Sequence, residues 1–137
     1  MPLIYQDWIT RADLQQHPDW LFCFGDNMQR RGLGGQAREM RGEPNAVGIP
    51  TKHSPDNGPD AFFCDDDLHF RRRDSHSQQP PAAAIADSFA RLVDHLLAGG
   101  VVVVPSAGIG TGLADLPNRA PVFHKLISDA LKDLETL

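Results

Sequence analysis

The strongest chemical signal in the chain is the stretch Pro105-Ser106-Ala107-Gly108-Ile109-Gly110-Thr111-Gly112-Leu113. Glycine at alternate positions strips Cβ atoms from the backbone and lets a ligand approach the peptide N–H groups closely. The stretch follows the apolar run Val101-Val102-Val103-Val104 and precedes a helical pattern. A strand, a bare loop and a helix start, in that order, gather unpaired N–H donors and a positive dipole end around one point. Such a point attracts anions, so the chemistry expected is capture of a phosphate-bearing ligand, with Ser106 and Thr111 in the same loop. The plainer alternative is a tight strand-to-helix turn with no ligand.

Other glycine-loop classes fit less well. A dinucleotide fingerprint sits in the first strand-to-helix turn and needs an acidic residue at the end of a later strand. Here the loop lies in the last third of the chain, with only helical sequence after it. No Gly-Lys-Ser/Thr follows the glycines, which removes the Walker class. Val104-Pro105-Ser106-Ala107-Gly108 is half of a nucleophile elbow and lacks its first glycine.

A second bare stretch, Gly32-Leu33-Gly34-Gly35, follows Gly25-Asp26-Asn27 at the end of the apolar run Trp20-Leu21-Phe22-Cys23-Phe24. Both glycine loops leave a buried strand and enter a helix, and ligands of open α/β sheets bind at that strand edge. If the two strands are neighbours, the loops clasp a diphosphate from opposite sides through backbone N–H groups. Asn27 offers an amide suited to sugar hydroxyls, and Thr51-Lys52 ends a third strand at the same edge. Lys52 is then a cation, or a nucleophile if desolvation lowers its pKa; its bland alternative is a surface lysine. Asp115 reads as a cap of the last helix, with general base as the alternative. Cys64, His69 and His76 with Asp65-Asp66-Asp67 fit no compact ligand spacing, so neither a metal nor another cofactor is expected.

The elements that position these residues follow from periodicity. Leu3-Ile4-Tyr5 reads as an edge strand, and Thr10 as the N-cap of a brief helix closed before Pro18. A buried strand is expected over 20–24, a helix over 36–41, and a strand over 46–49 stopped by Pro50. Residues 50–81 form an irregular insertion, a candidate lid, interrupted by a strandlike Ala61-Phe62-Phe63-Cys64; its Arg71-Arg72-Arg73 run reads as a solvated loop. Residues 82–98 place Ile85, Phe89, Leu92, Val93, Leu96 and Leu97 at helical spacing before Gly99-Gly100. The final helix puts Ala120, Phe123, Ile127, Ala130, Leu131 and Leu134 on one face. Strands alternating with helices predict an α/β fold, a three-layer α/β/α sandwich on a mixed central sheet.

With 137 residues, 41% hydrophobic and 23% charged, the chain suits one domain. A formal charge of −5 argues against a general nucleic-acid-binding face. Two cysteines make no disulfide framework, the N-terminal residues do not read as a leader, and no apolar run approaches membrane-spanning length. A reduced, cytoplasmic setting without membrane contact is the expectation.

Together these residues resemble the macrodomain family, ADP-ribose-binding α/β modules. Gln6-Asp7-Trp8-Ile9-Thr10 is similar to that family's opening Gly-Asp-Ile-Thr, whose aspartate binds adenine. Residues 19–27 are similar to the strand ending in an asparagine near the distal ribose, and Gly32-Leu33-Gly34-Gly35-Gln36-Ala37 resembles the first phosphate loop. The stretch from Pro105 to Leu113 resembles the loop that grips the diphosphate. The nearest branch is that of the terminal ADP-ribose-protein glycohydrolases, where an Ile-Thr-Lys lysine and an Ile-Gly-Cys-Gly-Leu-Asp aspartate are catalytic. Pro50-Thr51-Lys52 matches the lysine, whereas Ala114 stands at the aspartate's place and Asp115 follows one residue later. The resemblance implies a partner that is ADP-ribose or an ADP-ribosylated molecule. It implies ligand contacts at Asp7, Gly25, Asp26, Asn27, Gly34, Gly35, Thr51, Lys52, Ser106 and residues 108–113. The candidate catalytic residues are Lys52, Asp115 and Asn27. Three functions stay open: a glycohydrolase, a non-catalytic reader, and a structural domain without ligand.

Overall fold

The computed structural model describes residues 2–70 and 79–137. The arginine run 71–73 and His76 lie outside the described residues. Among the described residues the chain is α/β: a four-stranded parallel sheet with five α-helices.

Strand β1 (Leu3–Gln6) leads into α1 (Arg11–Gln16). Thr10 caps this helix as expected: its hydroxyl accepts the Asp13 N–H, and the Asp13 carboxylate accepts the Thr10 N–H in return. The reciprocal pair satisfies two donors that the helix start leaves free. Strand β2 (Leu21–Asn27) runs three residues past the aromatic segment and is followed by the short α2 (Ala37–Met40). Strand β3 (Ala46–Lys52) continues through Pro50, which the sequence suggested would stop it. The sheet order β1-β4-β2-β3 explains the difference, because an edge strand has one side on which a missing N–H is tolerated.

Two 3-10 turns, Pro59–Ala61 and Asp65–Asp67, shape the insertion. The anticipated strand at 61–64 is reduced to one antiparallel bridge, Lys52 to Phe62. Helix α3 (Pro81–Leu97) buries Ile85, Phe89, Leu92 and Leu96, one stripe at helical spacing. It ends with Gly99 in the left-handed region (φ 87°) and with the Gly100 N–H donating to the His95 carbonyl. Strand β4 (Val102–Pro105) is buried throughout. The tail divides into α4 (Leu116–Arg119) and α5 (Pro121–Leu134), with prolines in the first turns of both.

Among the described residues the three pairings within the four-stranded sheet are all parallel, which corrects the mixed sheet expected. The reason is that each strand is followed by a helix, and such crossovers return the chain in the same direction. Alternation along the strands builds two apolar clusters. Leu21, Cys23, Val47, Ile49, Val102 and Val104 pack with α3 and α5, whereas Phe22, Phe24 and Val103 pack with Leu14, Ala37 and Met40. Each fully buried Leu, Ile or Phe in them contributes roughly 1.5–3 kcal/mol relative to exposure. Burial pushes the Cys23 thiol up to about 12, while Cys64 is exposed. Among the described residues no helix is long and apolar enough to cross a membrane.

Candidate functional site

Because the strands are parallel, their C-terminal ends share one edge, and a cleft of about 400 Å³ opens there. The segment after β1 supplies Asp7 and Trp8; β2 ends in Gly25, Asp26 and Asn27, and the following loop adds Gly34 and Gly35. Strand β3 ends in Thr51 and Lys52, and the loop after β4 lines the cleft with Gly108, Gly110, Thr111, Gly112 and Leu113. Three candidates are not brought into this lining. Ser106 is exposed, Ile109 is buried in the core, and Asp115 lies beyond the loop.

The two glycine loops meet because β2 and β4 are neighbours. A Cβ on Gly25 would lie 3.8 Å from the Gly110 nitrogen, and one on Gly34 would lie 3.4 Å from Leu113 Cδ1. Gly108 and Gly110 adopt φ values of 90° and 82°, where side chains are strained. At Gly110 there is also no room, since a Cβ would sit 2.3 Å from Leu116 Cδ1.

Asp115 caps α4 rather than the last helix, and it does so without a side-chain bond to the backbone. It is held at φ 50°, Oδ1 accepts from Asn118 Nδ2 at 2.9 Å, and Arg119 Nε stands 3.9 Å from Oδ2. The residue in the cleft is its neighbour Ala114, which is buried. The left-handed turn at Asp115 carries its carboxylate toward its own helix.

Lys52 is buried, with 7% of its surface exposed. Its Nζ donates to the Asp56 carbonyl at 2.8 Å and lies 4.6 Å from the centroid of the Phe62 ring. The Arg119 guanidinium covers the same ring at 3.6 Å. Burial pushes the Lys52 amine below the usual lysine value; Asp56 pulls it up, and Arg119 pushes it down further. The insertion therefore wraps the lysine. It is fastened by His53 Nε2 and the Cys64 N–H, which both meet Asp67 Oδ2, at 2.8 and 3.0 Å. Burial works to raise the Asp67 pKa, yet the bonds from Cys64 and His53 hold it below the ordinary carboxylate value.

The Asn27 amide is committed internally. Nδ2 donates to the Arg31 carbonyl at 2.7 Å, and Oδ1 accepts from the Gln29 N–H at 3.0 Å. Its role in the described geometry is to shape the turn after β2. Asp26 is likewise engaged: its carboxylate meets Arg41 Nη2 at 2.5 Å and Arg30 Nη1 at 3.4 Å. It also packs on β3, where a Cβ at Gly48 would come within 2.3 Å of Oδ2.

Sequence reasoning missed Trp8 as a site residue and treated it as an intrusion in a motif. It lines the cleft with 53% of its surface exposed. Gln6 Nε2 donates to its carbonyl, and Gln36 exchanges two 2.8 Å bonds with the backbone of Ile9. These bonds fasten the segment after β1 to the start of α2. Arg31, Gln36 and Arg41 also line the cleft and were not singled out. The signal available for Trp8 was a large aromatic beside an acidic residue at a strand end. For the arginines no such spacing exists.

A family model, described as a family of unknown function (DUF7831), matches residues 4–130, and the chain belongs to this family. No curated protein and no solved structure matches it.

Proposed function

We propose that this family member binds ADP-ribose, or a closely related nucleotide diphosphate sugar, in the cleft at the sheet edge. The observation that carries the proposal is the juxtaposition of two bare glycine loops on adjacent parallel strands, with Gly25 packed against Gly110. In this reading backbone N–H groups of both loops supply the donors for a diphosphate, apart from that of Gly108, which donates to the Pro105 carbonyl. The exposed face of Trp8 takes the base beside Asp7, and the second sugar lies toward Asn27 and Lys52. The apolar clusters on either side of the strands support a macrodomain-like, three-layer arrangement.

Two observations bear on catalysis in opposite directions. The buried Lys52 amine, lowered by desolvation and set in the cleft, favours hydrolysis of an ADP-ribosyl linkage as a second reading. The position of Asp115 outside the lining, with Ala114 in its place, favours a reader that binds without chemistry.

Thermal melting against ADP-ribose tests the proposal. At a hundred times its Kd, a ligand specific for the folded form stabilises by about 2.7 kcal/mol, a shift of several degrees. No shift at saturating ADP-ribose, AMP and NAD leaves the glycine loops as tight turns of a structural domain. With binding shown, Lys52→Ala separates the two readings. Hydrolysis requires that release of ADP-ribose from a modified macromolecule is lost while affinity persists. A reader shows no release in either form.

A further inference from the structure

Phe62 carries two cations on one ring. The Arg119 guanidinium lies 3.6 Å from its centroid and the Lys52 amine 4.6 Å. The segment that holds the ring is fastened on both sides. Before it, Lys52 and Phe62 form the antiparallel bridge, and the His53 N–H donates to the Ala61 carbonyl at 2.8 Å. After it, Phe63 stacks on Phe123 with centroids 4.4 Å apart, and Asp65 Oδ1 accepts the Val122 and Phe123 N–H groups at 3.0 and 3.4 Å. These contacts bind the insertion to the start of α5, next to Arg119 at the end of α4. Helix α4 is anchored in turn by Leu116, which is wholly buried and whose N–H donates to the Gly110 carbonyl at 2.9 Å.

The charges acting on the Lys52 amine come from two elements. Asp56 of the insertion favours the ammonium, and Arg119 of α4 opposes it. Charged neighbours on these elements and on β2 are engaged elsewhere: Asp67 with His53, Asp26 with Arg41 and Arg30, and Asp115 with Arg119. A ring that met an ammonium alone would favour its charged form. Here the closer guanidinium takes the ring, and its charge also repels an ammonium. Both effects favour the uncharged amine, the form able to accept a proton or attack an electrophilic carbon.

We propose that Arg119, which lies outside the cleft lining, is a positioning residue for Lys52 and acts through the Phe62 ring they share. The proposal deepens the reading of Lys52 as a reactive amine and rests on it. The chain has three lysines, so a sample labelled with carbon-13 at lysine Cε gives three signals, and Lys52→Arg identifies the relevant one. Their shifts are followed against pH in the full chain without ligand. Wild-type Lys52 is expected to titrate below the ordinary lysine value. In Arg119→Met its proton-dissociation constant falls about threefold, the effect of one partly hydrated charge a ring's width away. Arg119→Lys restores a charge there and brings the constant back toward wild type.

An unchanged or lowered titration midpoint in Arg119→Met overturns the role of Arg119 and leaves burial alone acting on Lys52. A raised midpoint that Arg119→Lys repeats in full assigns the effect to displaced packing of Phe62 and refutes the proposal too. If wild-type Lys52 titrates at the ordinary value, the reactive-amine reading fails and this proposal fails with it. ADP-ribose enters none of these measurements, so a cleft that does not bind it shows separately, in thermal melting.

Discussion

Alanine at Gly110 is expected to cost far more stability than alanine at Gly112, two residues along the same loop. At Gly110 two penalties combine. The φ of 82° costs a residue with a Cβ about 1–2 kcal/mol. The new methyl also meets Leu116 Cδ1 at 2.3 Å and Thr51 Cγ2 at 3.3 Å. Leu116 is wholly buried, so it has no solvent to swing into, and overpacking of this kind costs about 1–3 kcal/mol. Together these give about 2–5 kcal/mol, a large share of the roughly 5–15 kcal/mol that holds a domain folded. For a chain of this size the melting temperature then falls by about 6–20 °C. Gly112 has no positive φ, and nothing lies within 4 Å of its added Cβ, so alanine there is worth within about 0.5 kcal/mol of zero. Thermal and urea unfolding of the two variants by circular dichroism makes the comparison. If Gly110→Ala melts within about 2 °C of Gly112→Ala, the packing of the loop on Leu116 is wrong.

Two further perturbations follow from the ion pair and the buried amine. Arg41→Met leaves the Asp26 carboxylate, whose side chain is 3% exposed, with only the longer 3.4 Å contact to Arg30 as an ion pair, and breaking a buried pair costs up to about 3–5 kcal/mol. A urea midpoint close to wild type shows that Arg30 alone suffices for Asp26. For Lys52, burial lowers the folded-state pKa, so the unfolded chain binds the extra proton between that value and the usual 10.5. Stability contributed at this position therefore rises as pH climbs through that interval. Wild type should gain on Lys52→Met as melts are taken from neutral pH toward 10.5, and a constant difference refutes the burial argument.

Much of the fold was legible because the residues that decide it are local. The period of Ile85, Phe89, Leu92 and Leu96, with Gly99 behind it, specifies α3 and its end. Thr10 and Asp13 carry their own capping geometry three residues apart. The glycine stretches were legible as bare backbone for the same reason. The misreadings involve partners distant in sequence. Pro50 continues a strand because β3 has a free side, and strand order is not encoded near Pro50. The Asn27 amide turns inward because the Arg31 carbonyl returns to meet it, a consequence of the left-handed step at Arg30. Asp115 misses the cleft through one backbone torsion, which residue type does not announce. Trp8 joins the cleft because Gln36, from another loop, clasps Ile9.

The contrast between the two cysteines has a practical side. A thiol pushed up to about 12 inside the core has almost no thiolate at working pH and stays inert to alkylating reagents while the chain is folded. Cys64, whose thiol is also pushed above its ordinary value by desolvation and by Asp67, differs in being exposed, and it stands two residues from Phe62, the ring that faces the Lys52 amine. A fluorophore attached by maleimide chemistry therefore goes to a single address without mutagenesis. From there its emission reports on the segment that carries Phe62 as candidate ligands are titrated.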